Sequence, residues 1–427
     1  MFPPFTKILL IETEKYDKIR HKIYGDKNMV YDIIIVGGGA SGLAAAINAK
    51  RTNGKIKVAI LEALPRVGKK ILATGNGRCN LTNLNSVSSC YTNSAFAQNV
   101  LEGYPSRKVL EFFKSLGVLC VNDAEGRVYP MSNTAASVLD ALRYEAERLG
   151  VEIHCDTHVD KIKRNNGVFD ADGKIGKRVI IAVSGCSSPS QGSDGSGYSL
   201  LKSLGHTVTE VYPGLVRLNT EENTKALKGI RVKARLKLQR NGEKTDVSKG
   251  EVLFTESGIS GIAAMDISRS IKKGKYICVL DVLPECDEKA ARSFLNSLNG
   301  EMPIENALSG MLPRRVGQYI LKKSGINCTV PINKLKENEI GNIISTAKAL
   351  HFNISGTDGF ANAQITVGGA RVDEFDPKTL QSRLVKGLYC TGELLDVDGI
   401  CGGYNLQWAW ASGLTAGRSA AEGLPKK

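Results

Sequence analysis

The sequence is short of metal and redox chemistry. Its ten cysteines contain no C-x-x-C and no short paired spacing, which argues against an iron–sulfur cluster, a zinc ribbon and a redox-active dithiol. The five histidines form no H-E-x-x-H or comparable set, so no metal centre is expected. His154 and His158 stand four apart in an expected strand, where they do not share a face as helical residues would. No apolar run is long enough to span a membrane: the longest such stretch, residues 33–49, carries four glycines. Met1–Asn28 mixes short apolar pieces with many charges and lacks the apolar core and cleavage site of a signal peptide. It is expected to be a disordered extension or a mis-assigned start, with the fold beginning at Met29. Scattered cysteines without a secretion signal point to a reducing, cytoplasmic setting.

What is present is ordinary in bulk. A chain of 427 residues, 42% hydrophobic and 23% charged, suits two or more globular domains. The net charge of +14 favours anionic substrates, or nucleic acid without specificity. Its clearest local expression is Arg231-Val-Lys233-Ala-Arg235-Leu-Lys237-Leu, alternating as a half-buried strand with a basic outer face. No RNA or DNA motif accompanies it.

The chain is organised around Asp32–Glu62. Ile33-Ile34-Ile35-Val36 is long enough for a buried parallel strand. Gly37, Gly39 and Gly42 then form G-x-G-x-x-G, followed by an alanine-rich helix and a second strand, Val58–Leu61, ending on Glu62. Gly37 permits the tight turn, Gly39 lets backbone approach a pyrophosphate, and Gly42 lets helix and strand pack closely. The helix N-terminus offers free N–H groups and partial positive charge. Glu62 suits a ribose 2′-hydroxyl and repels a phosphate, which favours FAD or NAD(H) over NADP(H).

Pro65–Lys70 and Thr74–Asn83, rich in glycine, asparagine and basic residues, are expected to form a loop folded over the cofactor. Helices are expected over 106–117 and 134–149, and strands over 151–153, 159–162 and 178–183. The last strand runs into a second glycine turn around Gly185 without an acid at the distance a second fingerprint needs. Residues 206–361 are expected to form an inserted domain, β-rich over 206–285 and helical over 286–350. The flanking 29–205 and 362–427 then make up one cofactor domain.

Two long motifs, GKKILATGNGRCNLTN at 68–83 and GLYCTGELLDVDGICGGYNLQWAWASG at 387–413, resemble the BaiN-type (YhiN-like) FAD-dependent oxidoreductases. Gly250–Thr255 with Gly258–Gly261 is similar to a further family segment, and the resemblance spans nearly everything from Met29 to Ala421. It implies an α/β fold: a three-layer, glutathione-reductase-like Rossmann FAD domain interrupted by a β-barrel and a helical insert. It also implies residue roles. Gly37, Gly39, Ala40, Ser41 and Gly42 would hold the pyrophosphate, and Glu62 the adenosine ribose. Lys69, Lys70, Arg78 and Asn80 match the loop near the flavin, and Val159 a strand position whose backbone meets adenine. Gly185 lies in the second turn, and Glu393 is expected near the ribityl or pyrophosphate oxygens. Gly403, Tyr404, Asn405 and Leu406 begin the final helix. Cys186 stands where the family pattern has glycine.

The expected chemistry is hydride transfer at the flavin, since no protein nucleophile constellation is present. Among the activities that the resemblance implies, NAD(P)H-driven reduction of an activated C=C bond, in a 3-oxo-4-ene steroid or bile acid, is favoured. Tyr404 is the candidate proton donor. The partner is then an anionic, apolar small molecule rather than a membrane or a specific nucleic acid. An amine oxidase of the aminoacetone type using O₂, and a non-catalytic flavin-binding or nucleic-acid-associated module, are the alternatives.

Overall fold

A computed structural model describes residues 30–425, and the expectation for residues 1–28 lies outside them. The first strand, Val30–Val36, is central because Ile33, Ile34 and Ile35 are wholly buried. Parallel neighbours flank it: Val58–Leu61 and then Glu152–His154 on one side, Lys174–Ile181 on the other. The Lys174–Ile181 strand forks. Its start continues antiparallel into Val168–Ala171 and Ile162–Asn165, while its end pairs in parallel with Leu388–Cys390. The late strand thereby joins the early sheet, and five parallel strands end on one edge, where ligands bind in open α/β sheets.

Two helices join the same ends of the chain. Ala40–Thr52 follows the first strand, and Tyr404–Ala421 crosses it. A Cβ on Gly413 would lie 2.3 Å from the Ser41 carbonyl oxygen, and one on Gly417 would lie 2.2 Å from that of Ala45. Only glycine permits so close a crossing.

Between the two-stranded pair of Tyr212–Gly214 and Ile365–Val367, the chain builds a second body with its own apolar core. Six antiparallel strands close a barrel in the order Leu218–Thr220, Gly258–Ser260, Glu243–Phe254, Arg231–Arg240, Tyr276–Asp281 and Leu350–Thr357. Along Arg231–Arg240, Val232, Ala234, Leu236 and Leu238 point inward and Arg231, Lys233, Arg235 and Lys237 outward. Helices Glu288–Ser297, Ile304–Ser309, Arg314–Lys323 and Glu337–Lys348 bury their apolar faces in the barrel's core.

Three local expectations are corrected. Leu350–Thr357 is a strand that closes the barrel, with Leu350, Phe352 and Ile354 inward. Lys69–Ala73, expected as loop, is a short helix anchored by buried Ile71. Val159 lies outside any strand: the following amides of Asp160 and Lys161 donate to the Asp172 carboxylate at 2.6 and 3.1 Å, which takes the place of ladder bonds until Ile162.

Candidate cofactor and active site

The Gly37–Gly42 turn separates what the protein needs from what a ligand needs. Gly37 has φ +103°, and a Cβ there would lie 2.8 Å from the Ala182 carbonyl oxygen. A Cβ on Gly42 would lie 2.0 Å from the Gly37 carbonyl oxygen, and one on Gly38 would strike Val67. Gly39 is different: its φ of −80° suits any residue, and nothing lies within 4 Å of the position of its Cβ. Its bare backbone lines a cleft with Glu62, Lys69, Val159 and Ser184. The helix behind it, beginning with Ala40 and Ser41, has no side-chain cap, so its N-terminal donors and positive end suit an anion.

Glu62 is fixed at the end of the second strand by the amides of Gly38 and Leu64, at 2.8 and 2.9 Å. Its oxygens retain lone pairs for a further donor. The Lys69 ammonium donates to the Ser190 carbonyl across the cleft at 2.8 Å. Gly185 packs against Thr366, whose hydroxyl accepts from the Cys186 amide at 2.8 Å. The side chain of Cys186 lies against Gly195, where a Cβ would meet its sulfur at 2.8 Å.

The two long motifs interlock. Lys70 pairs with Glu393 at 2.7 Å, and the second Glu393 oxygen accepts from the Thr366 amide at 2.8 Å. The Trp410 indole donates to the Leu81 carbonyl, the Thr82 hydroxyl to Gln407, and the Asn83 amide to the Gly402 carbonyl. Gly403, at φ +100°, approaches the Thr82 carbonyl so closely that a Cβ would lie 2.5 Å from it. Arg78 stacks its guanidinium on Tyr129 at 4.7 Å. Buried Asn80 Oδ1 and Thr391 Oγ1 have no hydrogen-bond partner among the described residues.

The start of the last helix divides its labour. Asn405 spends its amide on Gly399, accepting from its N–H and donating to its carbonyl at 2.8 Å each. It thereby folds the preceding loop onto the start of the helix. Tyr404 is buried, with its ring edge-on to Tyr91 at 6.2 Å, and its carbonyl accepts from the Tyr91 hydroxyl. Burial, with Cys90 and Asp266 nearby, raises its phenol further. Leu406 is half-buried behind it.

Two groups absent from any motif, Arg269 and Asp266, meet the Asp396–Gly403 loop where the barrel touches it. Arg269 donates to the Asp398 carboxylate at 2.7 Å and to its carbonyl at 3.1 Å. The Asp398 side chain is 3% exposed, and its other oxygen accepts from Thr92. Arg269→Ala would leave that carboxylate buried without its cation, at a cost of about 3–5 kcal/mol. Urea unfolding checks this; a loss below about 1 kcal/mol would refute the clamp. Neighbouring Asp266 accepts from the Cys401 amide at 2.6 Å. Burial pushes the Asp266 carboxyl up to about 6, Asp246 adding to the shift while Cys401 N–H and Arg269 oppose it.

A raised carboxyl makes the folded state hold a proton that the unfolded state releases. Stability therefore falls as pH rises from about 4 to about 6, by about 3 kcal/mol in all, and stays lower above that. Asp266→Asn should remove this penalty: equal to wild type near pH 4, more stable at pH 8, by thermal unfolding across pH. A variant with the wild-type pH dependence would contradict the assignment.

The open parallel sheet, the glycine turn on a helix N-terminus, the fixed acid at Glu62 and the partnerless Asn80 and Thr391 fit FAD, and the fold is that of an FAD-binding oxidoreductase with an inserted antiparallel barrel. The chain belongs to the HI0933-like family, whose Rossmann-domain model matches residues 31–419. It is 44% identical over 403 residues, 91% of this chain and 98% of the relative, to the 3-dehydro-bile acid delta(4,6)-reductase of Clostridium scindens. It is 29% identical to the ribosomal RNA dihydrouridine synthase of Escherichia coli, over 90% of this chain and 96% of that one. Among solved structures it resembles 3-ketosteroid-delta4-(5alpha)-dehydrogenase from Rhodococcus jostii RHA1, with TM-score 0.46 and 16% identity, over 94% of this chain and 99% of that one.

Proposed function

We propose that the protein uses NAD(P)H, through bound FAD, to reduce a C=C bond conjugated to a carbonyl, in a 3-oxo-4-ene steroid of the bile-acid type. The observation that carries this reading is the 44% identity, over nearly the whole of both chains, to a bile acid reductase. FAD supplies the hydride chemistry when bound. Backbone donors from Gly39 to Gly42 would hold its pyrophosphate, and Glu62 its ribose. The Lys70–Glu393 pair and Asn80 would set the loop against the flavin end. Without a second dinucleotide fingerprint, NAD(P)H docks transiently.

Anaerobic mixing of the yellow protein with NADH or NADPH tests this. Bleaching, followed by return of colour when a 3-oxo-4-ene bile acid is added, is the expected result. Bleaching by aminoacetone, with peroxide on admitting air, would favour an amine oxidase instead. Flavin that none of these reduces would favour a binding module.

A second reading has its own support. The net charge is +14, and Lys233, Arg235 and Lys237 are exposed along one barrel strand. A uracil in RNA also offers a C=C bond conjugated to a carbonyl, and one relative is named a ribosomal RNA dihydrouridine synthase. If RNA is the substrate, replacing these three cations by glutamine weakens RNA binding and flattens its salt dependence, by about 0.7–0.9 in log–log slope per lost phosphate contact. RNA binding unchanged by the substitution would count against this face.

A further inference from the structure

We propose that Asp266 is the acid that protonates the α-carbon of the substrate, an assignment that rests on the enone-reductase reading. Adding a hydride to the β-carbon drives the π electrons toward the carbonyl. The α-carbon must then take a proton from a group held at its face.

Asp266 is held at the junction between the inserted body and the cofactor domain. It lies on the Ile262–Ser268 helix of the inserted body, across from the Asp396–Gly403 loop that leads into the last helix. One oxygen is fixed by the Cys401 amide, two residues before the Gly403 cap. The other has no hydrogen-bond partner among the described residues and is free to carry a proton. Arg269, three residues further on, is locked to Asp398, which fixes this helix against the loop. Around the junction, Leu215, Ile365 and Val367 are buried and Tyr212, Met265 and Cys401 pack against them. Such a seam suits an apolar ring system and shifts the carboxyl toward its neutral, donating form.

The charged and titratable groups around it are Arg269 just past the end of its helix, Asp246 on the barrel, and Cys401 and Tyr404 on the loop side. The Cys401 thiol is pushed up to about 12 by burial and the nearby Asp266, so it does not compete as an acid near neutral pH. Tyr404 packs edge-on against Tyr91, and burial raises its phenol, so it is the weaker acid near neutral pH. In the balanced step, NAD(P)H is oxidised by way of FAD, the β-carbon gains the hydride, and the C=C bond becomes single. The α-carbon gains the Asp266 proton, and one proton taken up from solvent restores the carboxyl, so that each turnover consumes NAD(P)H and one proton.

The test compares wild type, Asp266→Asn and Asp266→Glu as FAD-loaded proteins. With a 3-oxo-4-ene bile acid in D₂O, wild type should place one solvent deuterium at the α-carbon, and turnover should fall as pH rises above about 6. Asp266→Asn should lose roughly 100-fold in turnover and lose that pH limb, with FAD content unchanged, and Asp266→Glu should recover part of it. Independently of turnover, the infrared band of a protonated carboxyl at about pH 5 should be present in wild type and absent from Asp266→Asn. Turnover of Asp266→Asn within about threefold of wild type, with the same pH limb, overturns the assignment and leaves the reductase reading standing. A wild type that reduces neither an enone nor a uracil overturns both.

Discussion

Gly39→Val should give a folded protein that no longer holds FAD. The substitution is mild for the fold: the backbone at Gly39 is at φ −80°, and no atom lies within 4 Å of the new Cβ. The added side chain stands instead where the pyrophosphate must touch the turn. We expect at least about 100-fold weaker FAD binding, or about 2.7 kcal/mol, with a thermal midpoint close to that of the wild-type apoprotein. Gly37→Val is the contrast, since a Cβ there meets the Ala182 backbone and φ is +103°; it should lower stability as well as affinity. Wild-type FAD affinity in folded Gly39→Val would show that the turn is structural only.

Gly413→Val should unseat the two helices that bring the ends of the chain together. Its Cβ would fall 2.3 Å from the Ser41 carbonyl oxygen, so the backbones must part. Overpacking in a close-packed core typically costs about 1–3 kcal/mol, and here rigid backbone rather than a movable side chain resists. We expect about 3 kcal/mol or more, read by urea unfolding, and weaker FAD binding because Ser41 belongs to the glycine turn. Loss of less than about 1 kcal/mol would show that the crossing gives way cheaply.

These two glycines mark the boundary of what could be read beforehand. The Asp32–Glu62 unit was legible because each part is local: a buried strand, glycines at fixed spacing, a helix and an acid within one βαβ span. The interlock of 68–83 with 387–413 was legible only through family resemblance. Contacts such as Lys70–Glu393 join residues 323 apart, and no local periodicity encodes them. The barrel's closing strand was missed because Leu350, Phe352 and Ile354 follow a helix without a turn signal between them. Asn405 was expected at the flavin, and the structure adds a role that the sequence did not show, the side chain satisfying both backbone groups of Gly399. Asp266 could not be foreseen at all. Its burial arises when the barrel meets the Asp396–Gly403 loop, and nothing in the flanking sequence announces that contact.

Titration of FAD into purified apoprotein, followed by quenching of flavin fluorescence, is the most direct measurement. The account predicts one FAD per chain, with binding abolished by Gly39→Val. Purified wild-type protein that is colourless and takes up no added FAD would contradict it.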